Sequence, residues 1–317
     1  MNSILSKAKL GSQAGGRPPV AVELSPQGVL AAALPGPGQS PVYAFEPLPE
    51  GALVPGIGEQ NLRSPAVVAN AIRTALGQVA PRTRAITLVL PDTVVRVFVL
   101  DFDSLPSRAA EAVPVLRFRL RKMVPFEVEH AGLSYQVLVE NKNECKVLAA
   151  VLPGPSLAEY EAVVHQAGFE PGAVLPTSLA ALAAIDSPEP VLAANLGAMA
   201  LTTCITHGQD LLLYRTLDLP EDPTHRLDEV QRGIAVAAAY YEDKLGEKPR
   251  QLRYAGTGAS GNSSAEDFAL WIGLSDSPEL PELTVVDMAP RPETGAATPL
   301  GKLLSLAGVV GALAGAA

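Results

Sequence analysis

The stretch Val20-Ala21-Val22-Glu23-Leu24-Ser25-Pro26-Gln27-Gly28-Val29-Leu30-Ala31-Ala32-Ala33-Leu34 reads as strand, tight turn, strand, because two apolar runs flank a Ser-Pro-x-Gly turn. A Pro/Gly joint, Pro35 to Gly38, separates it from a third candidate strand at Val42 to Phe45. Far downstream the arrangement returns: Val191 to Asn195, the turn Leu196-Gly197-Ala198, Ala200 to Thr206, the turn His207-Gly208-Gln209, and Leu211 to Thr216. Two three-strand meanders, each opening a half of the chain and each followed by helices, are a duplication at the level of pattern without residue identity. The pattern predicts two α/β lobes.

Working outward, Ser64-Pro65 places a cap residue before a proline suited to a first helical position, and a helix is expected through about Val79. Ala85 to Leu90 and Val94 to Phe102 follow as strands. From Ser107 to Val124 the apolar residues Val113, Leu116, Leu120 and Met123 recur at helical steps. Arg117 and Arg121 share another face, and Pro114 either kinks the helix or starts its second segment. Leu133 to Val139 and Lys146 to Leu152 read as an antiparallel pair, and Pro155 to Ala167 as a helix ended by Gly168. Thr177 to Ile185, Asp228 to Leu245 and Ala265 to Ile272 are further helices, Gln251 to Tyr254 and Thr284 to Val286 strands, and the uncharged run Leu303 to Ala317 a closing helix packed against a sheet. The expected division is a flexible arm over 1–17, a first lobe over 18–187 with an inserted subdomain at about 85–152, and a second lobe over 188–317.

Composition narrows the function classes. Hydrophobic residues at 48% against 18% charged residues indicate a packed chain, and 317 residues suffice for two cores. A net charge of −9 repels phosphate backbones and argues against nucleic-acid binding. Cys145, Cys204 and the four histidines lack metal-ligand spacing, so no metal site is expected, and the two cysteines read as free buried thiols of a cytoplasmic protein. No apolar run reaches the roughly 20 residues needed to span a bilayer, so no direct membrane insertion is expected.

No catalytic motif stands alone. Gly301-Lys302 lacks the glycine and the Ser/Thr of a Walker loop. Three turns, at Ser25 to Gly28, Leu196 to Ala198 and Gly256 to Gly261, each follow an apolar strand and together suit an anion-binding concavity, although glycine alone also serves a plain tight turn. The basic run Arg117, Arg119, Arg121, Lys122 is either a solvated face or the border of a partner groove that also includes Phe126.

The order of strings from Ala85 to Leu138, with Leu90-Pro91, Leu105-Pro106, Val124-Pro125-Phe126 and Leu133-Ser134-Tyr135-Gln136-Val137-Leu138, resembles the PilM family of actin-like proteins in type IV pilus assembly. The likeness continues through Gln166-Ala167-Gly168-Phe169, the second meander, Gly256 to Ala259 and the Ala/Gly-rich end. It implies an actin-like fold, ribonuclease H-like lobes in duplicate with a small inserted α+β subdomain. It further implies a cytoplasmic platform role beside other pilus components, with the cytoplasmic tail of the membrane protein PilN bound between the inserted subdomain and the first lobe. The resemblance places a nucleotide site at Glu23, Ser25, Asn195, Gly197, Gly256 and Gly258. Here the first turn lacks the family's Asp between glycines, Leu30 stands where many relatives have Lys, and Asn195 replaces the Asp that helps order magnesium. Magnesium prefers anionic oxygen ligands, so ATP with Mg is expected to bind weakly or not at all, with no turnover. The alternatives are an active actin-like ATPase, or a secretion or cell-division relative.

Overall fold

The computed structural model describes residues 16–36, 38–58, 60–141, 144–208, 210–256, 264–274, 283–289 and 304–314. The arm expected over 1–17 lies outside them except for Gly16 and Arg17.

The opening stretch forms β1 (Val20–Ser25) and β2 (Gly28–Ala33), an antiparallel hairpin in which Val20 faces Ala33 and Ser25 faces Gly28; β3 (Val42–Pro47) pairs on the far side of β2. Helix α1 (Pro65–Val79) starts with its proline in the first turn, where a missing N–H costs nothing. Next, β4 (Ala85–Leu90) pairs in parallel with β1, and β8 (Glu170–Pro176) in parallel with β4, giving the sheet order β3-β2-β1-β4-β8. The second half repeats this. Strands β9 (Pro190–Leu196), β10 (Ala200–His207) and β11 (Asp210–Asp218) form the antiparallel meander, and β12 (Gln251–Gly256) and β13 (Thr284–Asp287) add in parallel, giving β11-β10-β9-β12-β13. The duplication read from the two meanders therefore extends to strand order and direction.

A separate three-stranded sheet has the order β5-β7-β6, from β5 (Arg96–Phe102), β6 (Gly132–Glu140) and β7 (Cys145–Leu152). The sequence reading began the insert at about Ala85, but Ala85–Leu90 is β4 and lies inside the first sheet, so the separate sheet starts at Arg96. Helix α2 (Ala109–Leu120) packs Ala112, Leu116 and Leu120 against Val147, Ala149 and Val151 of β7, and Pro114 lies within it without ending it. The alternate residues of β7, Leu148, Ala150 and Leu152, point to the opposite face, toward the lobes. This two-residue period separates the insert's own core from the face turned to the lobes.

Helix α3 (Gly154–Ala167) ends at Gly168, whose φ of 93° is the left-handed cap that glycine adopts without strain; the short α4 (Thr177–Leu182) follows β8. In the second lobe α5 (Pro223–Leu245) and α6 (Ala265–Trp271) cover one face of the sheet, with Tyr254 and Phe268 stacked at 4.0 Å between centroids. Helix α5 begins five residues before the sequence reading placed it, because Asp222 caps it by accepting from the N–H groups of Thr224 and His225.

Strand β1 is buried on both faces. Val20, Val22 and Leu24 meet α1 and α3, while Ala21 faces the last helix, α7 (Ala307–Ala314), whose Val309, Ala312 and Leu313 also touch Leu30 and Ala32. The chain thus leaves the second lobe and closes on the first. Close approach requires glycine twice: a Cβ on Gly311 would lie 1.8 Å from the Ala180 carbonyl oxygen, and one on Gly308 2.3 Å from Glu23 Oε2. Within the uncharged C-terminal run, Leu304, Leu306, Ala307, Val309, Ala312 and Leu313 are core. Among the described residues no helix is long and apolar enough to cross a membrane.

Candidate functional site

Two features stand out, a buried polar cluster between the lobes and an apolar groove beside the inserted sheet. The cluster centres on Asp92, in the single 3₁₀ turn after β4. Asp92 is buried and accepts from the Ser178 N–H at 3.0 Å, Asn195 Nδ2 at 3.1 Å, Thr202 Oγ1 at 3.0 Å, Tyr214 Oη at 3.4 Å, and the Ser178 hydroxyl. Ser178 belongs to the first lobe and the other three side chains to the second, so one carboxylate ties the lobes together. Asn195 reaches it because the odd residues of β9 (Val191, Ala193, Asn195) face the first lobe while Leu192, Ala194 and Leu196 face α5 and α6. Asn195 Nδ2 also donates to Ser178 Oγ at 3.0 Å.

Glu23 sits beside this cluster on different terms. By the period of β1 it shares the face of Ala21, toward α7, and its Oε2 has no hydrogen-bond partner. Burial first, and the Asp92 charge second, push its carboxyl up to about 8, against a smaller opposing effect of the Thr177 hydroxyl. Burial also raises Asp92, but the donors around that residue pull it back. Of two buried carboxyls, the one with fewer donors is favoured to hold a proton, so Glu23 is the one that stays neutral at pH 7.

The nucleotide residues predicted from sequence converge only in part. Glu23, Ser25, Asn195 and Gly197 line one cavity with Asp92 and Thr177, of about 30 Å³, room for about two water molecules. Ser25 Oγ is spent on the Gly28 carbonyl at 3.1 Å, and the Gly197 N–H on the Ala200 carbonyl at 2.8 Å. The Gly197 carbonyl accepts from Arg226 at 2.9 Å. Gly256 ends β12, its carbonyl taken by the Ser305 N–H at 2.9 Å, and is not in that cavity wall; Gly258 lies outside the described residues. Sequence reading missed Asp92. The available signal was an acidic residue just past the C-terminal end of a parallel strand, where α/β sheets gather their sites.

The groove, about 260 Å³, lies on the face of the inserted sheet turned toward the first lobe. Its floor is Leu148, Ala150 and Leu152 of β7 and its walls include β6, Leu157 and Glu161 of α3, the end of β8, and Leu179 of α4. Arg117, Arg121 and Phe126 are elsewhere. Arg117 donates to the carbonyls of Val128 and, at 3.1 Å, Ala131, clasping the segment after α2; Arg121 pairs with Glu129; Phe126 packs half-buried on the α2 core. All three belong to the α2 side of the sheet. The groove and these three residues thus lie on opposite faces, because the alternation of β7 turns Leu148, Ala150 and Leu152 away from α2.

No family model matches the chain, and no curated protein matches it. Among solved structures, a chain of a PilM–PilN type IV pilus biogenesis complex superposes with a TM-score of 0.71 at 17% identity, over 93% of this chain and 97% of that one. The Bacteroides thetaiotaomicron protein with an actin-like ATPase fold and unknown function gives 0.50 at 9% identity, over 84% and 90%. The fold is actin-like. The cytoplasmic domain of EpsL, an inner-membrane component of the Vibrio cholerae type II secretion system, gives 0.48 at 14% identity, over 90% and 92%. In this actin-like chain the two repeated sheets are the ribonuclease H-like halves, and Asp92 with its partners occupies the cleft between them.

Proposed function

We propose that this chain is a cytoplasmic adaptor of type IV pilus biogenesis that holds the cytoplasmic tail of a PilN-like inner-membrane protein in the groove over β7, and that its nucleotide site is degenerate. The observation that carries this reading is the contrast between the two features. The groove is apolar and about 260 Å³, of the size and lining that capture peptide side chains, while the interlobe cavity is polar-walled and only about 30 Å³. The neighbour of matching fold is itself described as part of a complex with PilN. Attachment to the inner membrane, and contact with other platform components, would then run through that partner.

The side chains described around the cleft do not fit magnesium and ATP. A phosphate there meets the Asp92 carboxylate, finds the Gly197 N–H already engaged, and faces Glu23 in place of a cation. The amide of Asn195 donates where a metal-ordering oxygen would be required. Among the described residues no group of three or more His, Cys, Asp or Glu gathers to hold a metal.

The test is a titration of the protein with a synthetic peptide of the tail, beside a Ser134→Trp variant that fills the groove from β6. Saturable binding lost in that variant supports the adaptor reading. Absence of binding, together with phosphate release from Mg-ATP above a no-protein control, replaces it with the ATPase reading.

A further inference from the structure

One carboxylate stands alone in the groove. Leu157 and Glu161 are four residues apart on α3 and so share a face, which they turn into the groove, while Tyr160 and Val164 turn into the core. Among the described residues Glu161 is the only Asp, Glu, Lys or Arg in the groove wall; it is half-buried, and among the same residues it has no hydrogen-bond or ion-pair partner. A carboxylate partly withdrawn from water among leucines loses hydration without a counter-ion to replace it. Glu159, two residues earlier on the same helix, differs in this: its oxygens accept the N–H groups of Asn61 and Leu62 at 3.0 and 2.7 Å.

The second observation is backbone geometry. Strand β6 is the edge of its sheet, paired only with β7, and β8 is the edge of the first sheet. Both edges border the groove, with Ser134 and Gln136 of β6 directed to the same face as Leu148 and Ala150. An extended segment laid along β6 gains main-chain hydrogen bonds from an edge that, among the described residues, carries no further strand, and its alternate side chains turn toward the groove.

We infer that the groove takes an extended strand added to β6 and that Glu161 selects segments bearing a Lys or Arg at the position beside α3. This rests on the adaptor reading for the source of the segment and adds its mode of binding and its chemical requirement. Recognition is then divided: the floor holds any apolar alternation, whereas the lone carboxylate discriminates by charge.

The experiment uses the full chain, its Glu161→Gln and Glu161→Lys variants, and the synthetic tail peptide with each basic residue replaced in turn by Gln or Glu. Affinity is read by fluorescence anisotropy. Glu161→Gln is expected to weaken binding roughly tenfold or more, the usual range for a lost charge-assisted contact. That loss should vanish with the one peptide already lacking the matching basic residue. Glu161→Lys should prefer the peptide carrying Glu at that position, and hydrogen exchange should slow at residues 132–137 of β6 on binding. Because the peptide substitutions leave the protein unaltered, a folding defect in a variant does not hide the outcome. If the wild-type chain binds the tail but every peptide keeps its affinity within about twofold on Glu161→Gln, a change below 0.5 kcal/mol, the inference falls and the adaptor reading stands. If the wild-type chain binds no tail peptide, the adaptor reading falls, and this inference with it.

Discussion

The protonated Glu23 makes stability depend on pH in a direction opposite to that of an ordinary paired carboxylate. Its folded value of about 8 lies above the reference of 4.5, so between those values the native state binds a proton that the unfolded chain has released. Stability from this group is intact below pH 4.5, falls as pH rises through the window, and levels off above pH 8. The full difference of about 3.5 pH units corresponds to about 5 kcal/mol, of which about 3 kcal/mol falls between pH 6 and pH 9. Glu23→Gln keeps the shape of the neutral carboxylic acid and removes the titration. The facing groups are Asp92 after β4, Thr177 at the start of α4, Asn195 of β9 and the backbone of Gly308 in α7; burial holds Tyr214 and Cys204 well above their usual ranges, out of this window. Thermal melts of both proteins at pH 5, 6, 7, 8 and 9 are the assay. At about 2 °C per kcal/mol the variant should gain about 6 °C over wild type between pH 6 and pH 9, with little difference at pH 5. Parallel pH profiles for the two proteins would show that Glu23 is ionised throughout and that its proton is not what the burial implies.

Three further outcomes follow from single contacts. Gly311→Ala forces a Cβ onto the Ala180 carbonyl, a backbone atom that cannot swing aside, and should cost about 3 kcal/mol and expose the C-terminal helix to limited proteolysis; Gly308→Ala meets only the end of the Glu23 side chain and should cost less. Arg117→Ala leaves the Ala131 carbonyl without its donor and the Val128 carbonyl with only the Ala131 N–H, and should lower stability by about 1–3 kcal/mol in a urea titration, while tail-peptide affinity stays unchanged because the residue lies across the sheet from the groove. Asn195→Asp removes donors to Asp92 and Ser178 and adds a carboxylate next to one already buried, so a loss of about 3 kcal/mol is expected, without any gain in thermal shift with Mg-ATP.

Local pattern carried the parts of the fold that are locally determined. The two hairpins, the helix opening at Pro65 and the cap at Gly168 were legible because turn chemistry and apolar period agree there. The start of the inserted sheet was not, since Ala85–Leu90 and Arg96–Phe102 are both apolar strands separated by a short turn and only their distant partners, β1 and β7, distinguish them. The start of α5 was misplaced because its first turn is polar and the apolar period begins only at Leu227. At the site, Asn195 and Glu23 were legible as departures from a pattern, but their physical roles depend on Asp92, which arrives from another strand end. Arg117 looked like a solvated or partner-facing charge, whereas its donors are consumed by two carbonyls of its own loop.

The interlobe contacts bear on what holds the two lobes of this actin-like chain in one arrangement. A ligand lying between two lobes controls their relation only through the free energy by which it prefers one arrangement over another. Here that preference is supplied internally. Asp92 is offered by the first lobe and gripped by Asn195, Thr202 and Tyr214 of the second; Arg96 of the inserted sheet pairs with Asp218 of β11 at 3.1 Å; and α7 returns from the second half to pack on β1, β2 and α4. The exposed Arg96–Asp218 pair contributes little, but the buried network and the helix crossing together outweigh it, and neither needs a bound molecule. Helix α4 takes part in both sites, with Thr177 and Ser178 in the cluster and Leu179 in the groove wall. A groove built against an element fixed in this way keeps its shape between binding events, so a tail that enters it need not offset the cost of ordering the wall.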